Sequence, residues 1–178
     1  MSEKGTVNIG MLGMGTVGGG VASIIEGGGE ALAGKTGIEL RLRRVLVRDL
    51  SRSRAVALPP RIFTNDSAAV IEDPSIDIIV ELIGGIEPAR TLISAALREK
   101  KSVVTANKDL MARYGRELLQ LARRQGQNIY YEASVGGGIP LIRPLKRCLV
   151  ANRIERMIGI INGTTNYILT RMSLEGMD

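Results

Sequence analysis

The chain has 178 residues, of which 44% are hydrophobic, 24% charged and only 3% aromatic, and its net charge is +6. This composition is typical of a globular protein and excludes a disordered chain. The sequence contains no histidine, which excludes histidine bases and histidine-ligated zinc, and the scarcity of aromatic rings argues against a surface that stacks nucleic-acid bases.

The first predicted element is an apolar strand over residues 7–12, which runs into a Gly13-x-Gly15-x-x-Gly18 loop and a helical pattern over residues 17–25. Gly13 permits a tight turn, Gly15 lets the backbone approach a pyrophosphate, and Gly18 lets the helix pack close to the strand. The helix start offers free N–H groups to the phosphates. A glycine-rich turn without a ligand is the alternative. The predicted dinucleotide contacts in this loop are Gly13, Gly15, Thr16, Val17 and Gly18.

Strand and helix patterns then alternate as far as residue 132. Further strands are predicted at residues 38–47, 61–64, 77–83, 102–106 and 128–132. Helices are predicted at residues 65–71, 87–99 and 109–125, whereas the glycines between residues 27 and 37 predict a loop or a frayed helix end. This alternation predicts an α/β fold of the Rossmann type, with a doubly wound parallel sheet of six strands.

The pattern changes after residue 133. We expect a tight loop at residues 136–140, a short helix through Cys148, a strand at residues 153–161 and the beginning of a helix at residues 167–172. A lone strand and a helix start bury too little apolar surface to form a domain. The chain is therefore divided into a dinucleotide-binding domain, residues 1–135, and a hinge with the incomplete start of a second α+β domain, residues 136–178.

A reducing compartment is indicated by the single cysteine, because no internal disulfide can form. The polar N-terminus lacks the apolar core of a signal peptide. The apolar run at residues 76–86 carries Asp77 and Glu81, so it is not a membrane span. These observations predict a cytoplasmic protein without a membrane or nucleic-acid partner.

Cofactor preference depends on Arg48 and Asp49, which end the second strand. A carboxylate at this point bonds the ribose 2′-OH of NAD, whereas an arginine meets the 2′-phosphate of NADP. Arg48, with Arg52 or Arg54 behind it, would supply charge-assisted bonds to that phosphate. We therefore predict NADP. NAD stays open because Asp49 could accept a ribose hydroxyl, and a solvated arginine cluster is the alternative.

Ligands of open α/β sheets bind beyond the carboxyl ends of the strands. Gly84 follows the fourth strand, and Thr105 and Lys108 follow the fifth, so these three residues are predicted to contact the cofactor. Lys108 could bond the nicotinamide ribose or the substrate, or move a proton. An exposed lysine is the alternative, although the dipole of the following helix disfavours a cation at its start.

Four stretches together resemble the N-terminal part of homoserine dehydrogenase. They are GMLGMGTVG at residues 10–18, TANK at 105–108, EASVGGGIP at 132–140 and NGTTNYIL at 162–169. The first is shared by many dehydrogenases, and the other three in this order are specific. The resemblance implies NAD(P)-dependent, reversible interconversion of L-homoserine and L-aspartate 4-semialdehyde, an oxidoreductase reaction in threonine, methionine and isoleucine biosynthesis.

The resemblance also implies a monovalent-cation site, for Na⁺ or K⁺, formed mostly by backbone carbonyls. The matching residues are Glu132, Val135, Gly137 and Ile139. A tight glycine loop that merely changes domain is the alternative for this stretch.

Substrate contacts are implied at Gly163 and Thr164, where a helix-entry cap is the alternative. The principal catalytic lysine of the family, with its substrate glutamate and aspartate, is expected beyond residue 178, which leaves Lys108 a supporting catalytic role. We therefore expect a small-molecule substrate, a homodimer at full length, and a fragment that binds cofactor but is catalytically incomplete. A dinucleotide-binding module without catalysis and a reductase of another semialdehyde stay open.

Overall fold

The computed structural model describes residues 5–159 and 163–176. Its centre is a six-stranded sheet with the order β3-β2-β1-β4-β5-β6, in which all neighbours are parallel. The chain winds outward from β1 to one edge and then from β4 to the other, so a crevice opens where β1 and β4 are neighbours. The predicted doubly wound fold is confirmed. The strands are β1 (Gly5–Leu12), β2 (Ile38–Leu46), β3 (Phe63–Thr64), β4 (Ile78–Glu81), β5 (Ser102–Thr105) and β6 (Ile129–Tyr130).

Helices between the strands cover both faces of the sheet. They are α1 (Thr16–Thr36), α2 (Ala68–Ile71), α3 (Ala89–Arg98) and α4 (Lys108–Gln125). A further helix, α5 (Gly163–Glu175), follows the last strand and is exposed along nearly its whole length. Shorter helical turns lie at Pro60–Ile62, Glu132–Ser134 and Pro144–Cys148. No helix in the described ranges combines the length and apolar character that crossing a membrane requires.

The hydrophobic core has one cluster on each face of the sheet. Met11 and Leu12 are both fully buried, and because consecutive strand residues point to opposite faces, Met11 packs with α1 residues and Leu12 with α3 and α4 residues. Burial on both faces explains why β1 and β4 contain nearly continuous apolar runs, at residues 9–12 and 78–80.

β2 contains a bulge that changes which of its residues face the core. Leu42 and Val45 lie three positions apart, which in a regular strand puts them on opposite faces, yet both are buried in the cluster that also contains Ile25. In the register with β1, Ile9 pairs with Leu42 but Gly10 pairs with Arg44, so one extra residue is inserted in β2. The extra residue shifts the alternation by one position and turns both apolar side chains to the same face.

The predicted break in the first helix is wrong. α1 continues through its glycines to Thr36 and ends where Gly37 takes a left-handed conformation, with φ of 72°, and donates its N–H to the carbonyl of Ala33 at 2.9 Å. Glycine lowers helix propensity by about 1 kcal/mol without forbidding the helix. Burial of Ile25 and Ala33 against the sheet sustains this helix across the glycines.

The strand predicted at residues 153–161 is also absent from its described part. Residues 153–159 are irregular and exposed, and residues 160 and 161 lie outside the described residues. A strand needs a neighbour for its backbone N–H and C=O groups, and the described sheet ends at β6 without one for this segment. α5 begins at Gly163, earlier than predicted.

Candidate functional site

The turn between β1 and α1 requires glycine at Gly13 and Gly18. Gly13 has φ of +101°, and a Cβ atom there would lie 2.9 Å from the carbonyl oxygen of Leu82. A Cβ atom on Gly18 would lie 2.5 Å from the carbonyl oxygen of Gly13. Both distances are shorter than real Cβ contacts allow. The start of α1 therefore packs directly on the backbone that leaves β1.

Gly15 differs because neither its backbone conformation nor a contact within the protein requires glycine at this position. Its φ of −84° and ψ of −156° are extended, and no atom lies within 4 Å of the position a Cβ would take. Gly15 is the N-cap of α1 and offers no side chain to the first turn. The N–H groups of Thr16 and Val17 have no acceptor within the helix and face outward with the positive end of its dipole.

A cleft of about 640 Å³ opens beside this helix start. This volume is in the range of cofactor sites. The cleft lies at the crevice between β1 and β4, where ligands of doubly wound sheets bind. Its walls come from the glycine loop, the end of β2 and the loop after β4, and include Gly13, Gly15, Arg48, Arg52, Leu82 and Ile83.

Arg54 holds the loop after β2 in place. Its guanidinium donates to the carbonyl oxygens of Arg52 and Asp49 and lies 4.7 Å from the centre of the Phe63 ring. Asp49 accepts from the hydroxyl of Ser51 at 2.6 Å and from its N–H at 2.8 Å, and the pKa of Asp49 is lowered chiefly by that hydroxyl. Both side chains are therefore engaged within the loop.

Arg48 and Arg52 also line the cleft, but their guanidinium groups make no such contacts within the loop. Across residues 5–159 and 163–176 neither guanidinium has a hydrogen-bond or ion-pair partner. Two unpaired guanidinium groups beside a helix N-terminus form a strongly anion-attracting pocket.

Lys108 lies in a different cleft. It is the exposed first residue of α4 and lines a space of about 680 Å³ together with Met111, Tyr131, Ser134 and Val135. The structure does not bring Lys108 into the cleft of the glycine loop. It does place Lys108 beside Val135, one of the residues predicted for the cation site.

Gly84 and Thr105 lie on either side of a buried carboxylate, Glu81. Gly84 is exposed, with φ of 79°, and donates its N–H to Glu81 Oε1 at 3.2 Å. The hydroxyl of Thr105 is fully buried, donates to Glu81 Oε2 at 2.6 Å and accepts from the N–H of Asn107 at 3.0 Å. The Thr105 hydroxyl is therefore engaged in the interior rather than open to a ligand.

Glu132 binds its own chain. Its carboxylate accepts the N–H groups of Leu141 at 2.6 Å, Ile142 at 2.8 Å and Arg143 at 2.8 Å. The Leu141 N–H is the largest cause that holds the pKa of Glu132 below its ordinary value. The side chain thus caps the short helical segment that ends at Cys148.

A cation at this turn would depend on backbone carbonyls. In the described ranges no group of three or more His, Cys, Asp or Glu residues could hold a metal ion. The carbonyl of Glu132 already accepts the Val135 N–H at 3.0 Å, while Gly137 has φ of 61° and Ile139 is 64% exposed.

Comparison with protein families decides the assignment. Residues 13–132 match the model of the homoserine dehydrogenase NAD-binding domain, and residues 140–178 match the homoserine dehydrogenase model. The chain belongs to the homoserine dehydrogenase family. The NAD-binding match includes the glycine loop and Arg48, which confirms the predicted NAD(P) class of cofactor.

Homoserine dehydrogenases of two bacteria are similar over nearly the whole chain. The enzyme of Bacillus subtilis is 49% identical over 95% of this chain and 39% of its own length. The enzyme of Synechocystis is 50% identical over 97% of this chain and 40% of its own length. The chain therefore spans about two fifths of these homoserine dehydrogenases.

Solved homoserine dehydrogenases share the fold. The crystal structure from Thiobacillus denitrificans has a TM-score of 0.89 and 46% identity, and the match covers 98% of this chain and 41% of that one. A hyperthermophilic archaeal homoserine dehydrogenase in complex with NADPH has a TM-score of 0.80 and 29% identity, with coverage of 97% and 58%.

The homoserine dehydrogenase stretch at residues 162–169 begins at a residue outside the described ranges. Gly163 and Thr164 are exposed at the start of α5 and line neither cleft. The structure therefore does not bring these predicted substrate residues to Lys108 or to the glycine loop.

Sequence reasoning missed Glu81 and Asn107. In the sequence, Glu81 is notable only as a charge that argues against a membrane span. In the structure it is fully buried at the end of β4. Asn107 caps α4 by accepting the Leu110 N–H at 3.1 Å. An asparagine directly before a helical pattern is a recognisable capping signal. A lone acid at the end of an apolar strand is not.

Proposed function

We propose that this chain is the cofactor-binding part of an NADP-dependent homoserine dehydrogenase. The observation that carries the proposal is the cleft in which Gly15 leaves open space before the first turn of α1, with Arg48 and Arg52 unpaired at its rim. The pyrophosphate accepts the N–H groups of Thr16 and Val17. The two guanidinium groups hold the 2′-phosphate, and the engagement of Asp49 with Ser51 favours NADP over NAD.

The reaction we propose interconverts L-homoserine and L-aspartate 4-semialdehyde. When bound, the dinucleotide would supply hydride to the carbonyl carbon of the aldehyde while the oxygen gains a proton, and in the other direction it would take hydride from the alcohol carbon while the oxygen loses a proton. Lys108 supports the reaction from the second cleft by hydrogen bonding to the substrate oxygen or the nicotinamide ribose. Gly84 and Thr105 shape the loops that border the cofactor, and Gly163 and Thr164 contact the substrate.

The proposal also covers the domain organisation, a monovalent-cation site and the place of the protein in metabolism. Residues 1–135 form the dinucleotide domain, and residues 136–178 begin the substrate and dimerisation domain of a homodimer. A Na⁺ or K⁺ ion is held by carbonyls of Glu132, Val135, Gly137 and Ile139, which suits a turn whose one carboxylate already caps residues 141–143. The protein acts on small molecules in the cytoplasm, in threonine, methionine and isoleucine biosynthesis.

Turnover of homoserine tests the proposed reaction. The complete natural polypeptide that carries these residues is expected to reduce NADP⁺ in the presence of L-homoserine and not L-serine, as followed by NADPH absorbance. The 178-residue chain alone is expected to bind NADPH with little turnover, and robust turnover would contradict our placement of the principal catalytic lysine outside it. NADPH binding without homoserine turnover by the complete polypeptide would favour a binding module or a reductase of another semialdehyde.

Arg48 and Arg52 are expected to select NADP. The double substitution Arg48→Gln, Arg52→Gln should weaken NADPH binding by about a hundredfold, because each charge-assisted contact contributes roughly tenfold. NADH binding should change by less than about threefold, since NADH has no 2′-phosphate. Calorimetric titration measures both affinities. Arg41→Gln is the matched control, because Arg41 lies on β2 away from the cleft and pairs with Glu39. Equal losses of NADPH and NADH affinity would contradict the assignment.

A further inference from the structure

We propose that Glu81 is a positioning residue that fixes both the wall of the dinucleotide cleft and the start of α4. This inference rests on the proposed function, because the wall of the cleft can position a dinucleotide only if the cleft binds one. Glu81 is fully buried at the carboxyl end of β4, and neither the glycine motif nor the catalytic role of Lys108 uses it.

The carboxylate of Glu81 is satisfied entirely by local donors. Oε1 accepts the N–H groups of Ile83 at 2.8 Å and Gly84 at 3.2 Å, and Oε2 accepts the hydroxyl of Thr105 at 2.6 Å. Within the described ranges no lysine or arginine pairs with it. A buried carboxylate is costly, so it is tolerated only where such donors are fixed around it.

The bonds to Ile83 and Gly84 bend the chain as it leaves β4. Leu82 and Ile83 line the glycine-loop cleft, and the carbonyl of Leu82 is the atom that a Cβ on Gly13 would strike at 2.9 Å. Leu82 also donates its N–H to the carbonyl of Leu12 at 2.8 Å. Glu81 therefore holds the segment against which the glycine loop is packed.

The bond to Thr105 carries the same network to α4. The Thr105 hydroxyl accepts the N–H of Asn107 at 3.0 Å, and the Asn107 amide donates to the carbonyl of Gly85 at 2.6 Å. Asn107 Oδ1 caps α4 at Leu110, in the turn that begins with Lys108. One connected network thus ties the loop after β4 to the helix that presents Lys108.

The direction of each bond explains why glutamate is needed. The Thr105 hydroxyl gives its one proton to Oε2 of Glu81, and the N–H groups of Ile83 and Gly84 donate to Oε1, so residue 81 offers acceptors on both of its terminal atoms. Glutamine has the same shape but offers an NH₂ group on one side. Glu81→Gln therefore leaves a buried hydroxyl without an acceptor, or turns a donor toward two N–H groups.

The test compares NADPH affinity and kinetics in the complete polypeptide. Glu81→Gln is expected to raise the Kd for NADPH and the KM for NADP⁺ about tenfold, and to lower kcat through the shifted start of α4. Thr105→Val removes the same link without altering the carboxylate and is expected to weaken NADPH binding similarly. Thr105→Ser keeps the hydroxyl and is expected to recover most of the affinity that Thr105→Val loses.

Lys101→Met is the control for a loss of stability alone. Lys101 is 5% exposed directly before β5, at the amino end of the strands and so opposite to Glu81, where its Nζ donates to the carbonyls of Asp73 at 2.7 Å and Ile76 at 2.8 Å. Its replacement is expected to lower Tm while Kd and KM stay unchanged. If Glu81→Gln and Thr105→Val behave in the same way, Glu81 serves stability only and the positioning role is wrong. Failure of the wild-type protein to bind NADPH would instead contradict the proposed function.

Discussion

Gly15→Val is expected to abolish NADPH binding while the fold stays intact. The backbone at Gly15 is extended, as valine prefers, and no protein atom lies within 4 Å of the position that the Cβ of valine would take. Its side chain would instead fill the space before the first turn of α1, where the pyrophosphate is proposed to lie. We expect the affinity for NADPH to fall more than about a hundredfold.

Calorimetric titration and thermal unfolding separate the two effects of this substitution. Gly27→Val is the control, because Gly27 is also free of contacts within 4 Å but lies further along α1, away from the cleft. The control is expected to bind NADPH like the wild-type protein. Undiminished binding by Gly15→Val would show that no phosphate approaches this helix start.

Gly18→Ala is expected to lower the free energy of unfolding, whereas Gly15→Val is expected to leave the fold intact. The added Cβ would lie 2.5 Å from the carbonyl oxygen of Gly13, which is a backbone atom that cannot move aside alone. Overpacking of this kind costs about 1–3 kcal/mol of the free energy of unfolding, and we expect the upper end of that range because backbone is struck. NADPH binding should weaken as well, because relief of the clash moves the loop.

The control for Gly18→Ala is the same change two residues further on. Gly20 is exposed in α1 and has no neighbour within 4 Å of a Cβ, so Gly20→Ala should stabilise the helix by up to about 1 kcal/mol. Urea unfolding measures both variants. If Gly18→Ala is as stable as Gly20→Ala, the close packing of α1 on the end of β1 is wrong.

Features that depend on residues close together in sequence were predictable. The spacing of Gly13, Gly15 and Gly18 indicates the turn, the free helix start and the packing contact, and the alternation of patterns indicates the parallel sheet. Both need only local geometry and the period of the apolar residues. The identity of the family followed from longer specific stretches and is confirmed by the family match.

Features that depend on distant neighbours were not predictable. The glycines of α1 indicate a break, but contact of Ile25 and Ala33 with the sheet keeps the helix intact. The segment at residues 153–159 has a strand-like composition but no neighbouring strand in the described sheet. Local propensity is overridden in both cases by what lies beside the segment.

At the candidate site too, the features that the sequence could not predict are those that depend on residues far apart in the chain. The sequence left Arg52 and Arg54 equivalent behind Arg48. The structure distinguishes them by the bonds of Arg54 to the carbonyls of Arg52 and Asp49, and by the Phe63 ring that the pairing of β3 with β2 brings beside Arg54. The partnership of Glu81 with Thr105 requires β4 and β5 to be neighbours, which is a property of the strand order.

A structure of the complete polypeptide with NADPH bound would locate the dinucleotide on the chain. We expect pyrophosphate oxygens within about 3 Å of the backbone nitrogens in the first turn of α1, as helix-bound phosphates require. We also expect the 2′-phosphate between the guanidinium groups of Arg48 and Arg52. A nucleotide bound away from Gly15, or a 2′-phosphate that contacts neither arginine, would contradict the proposed cofactor site.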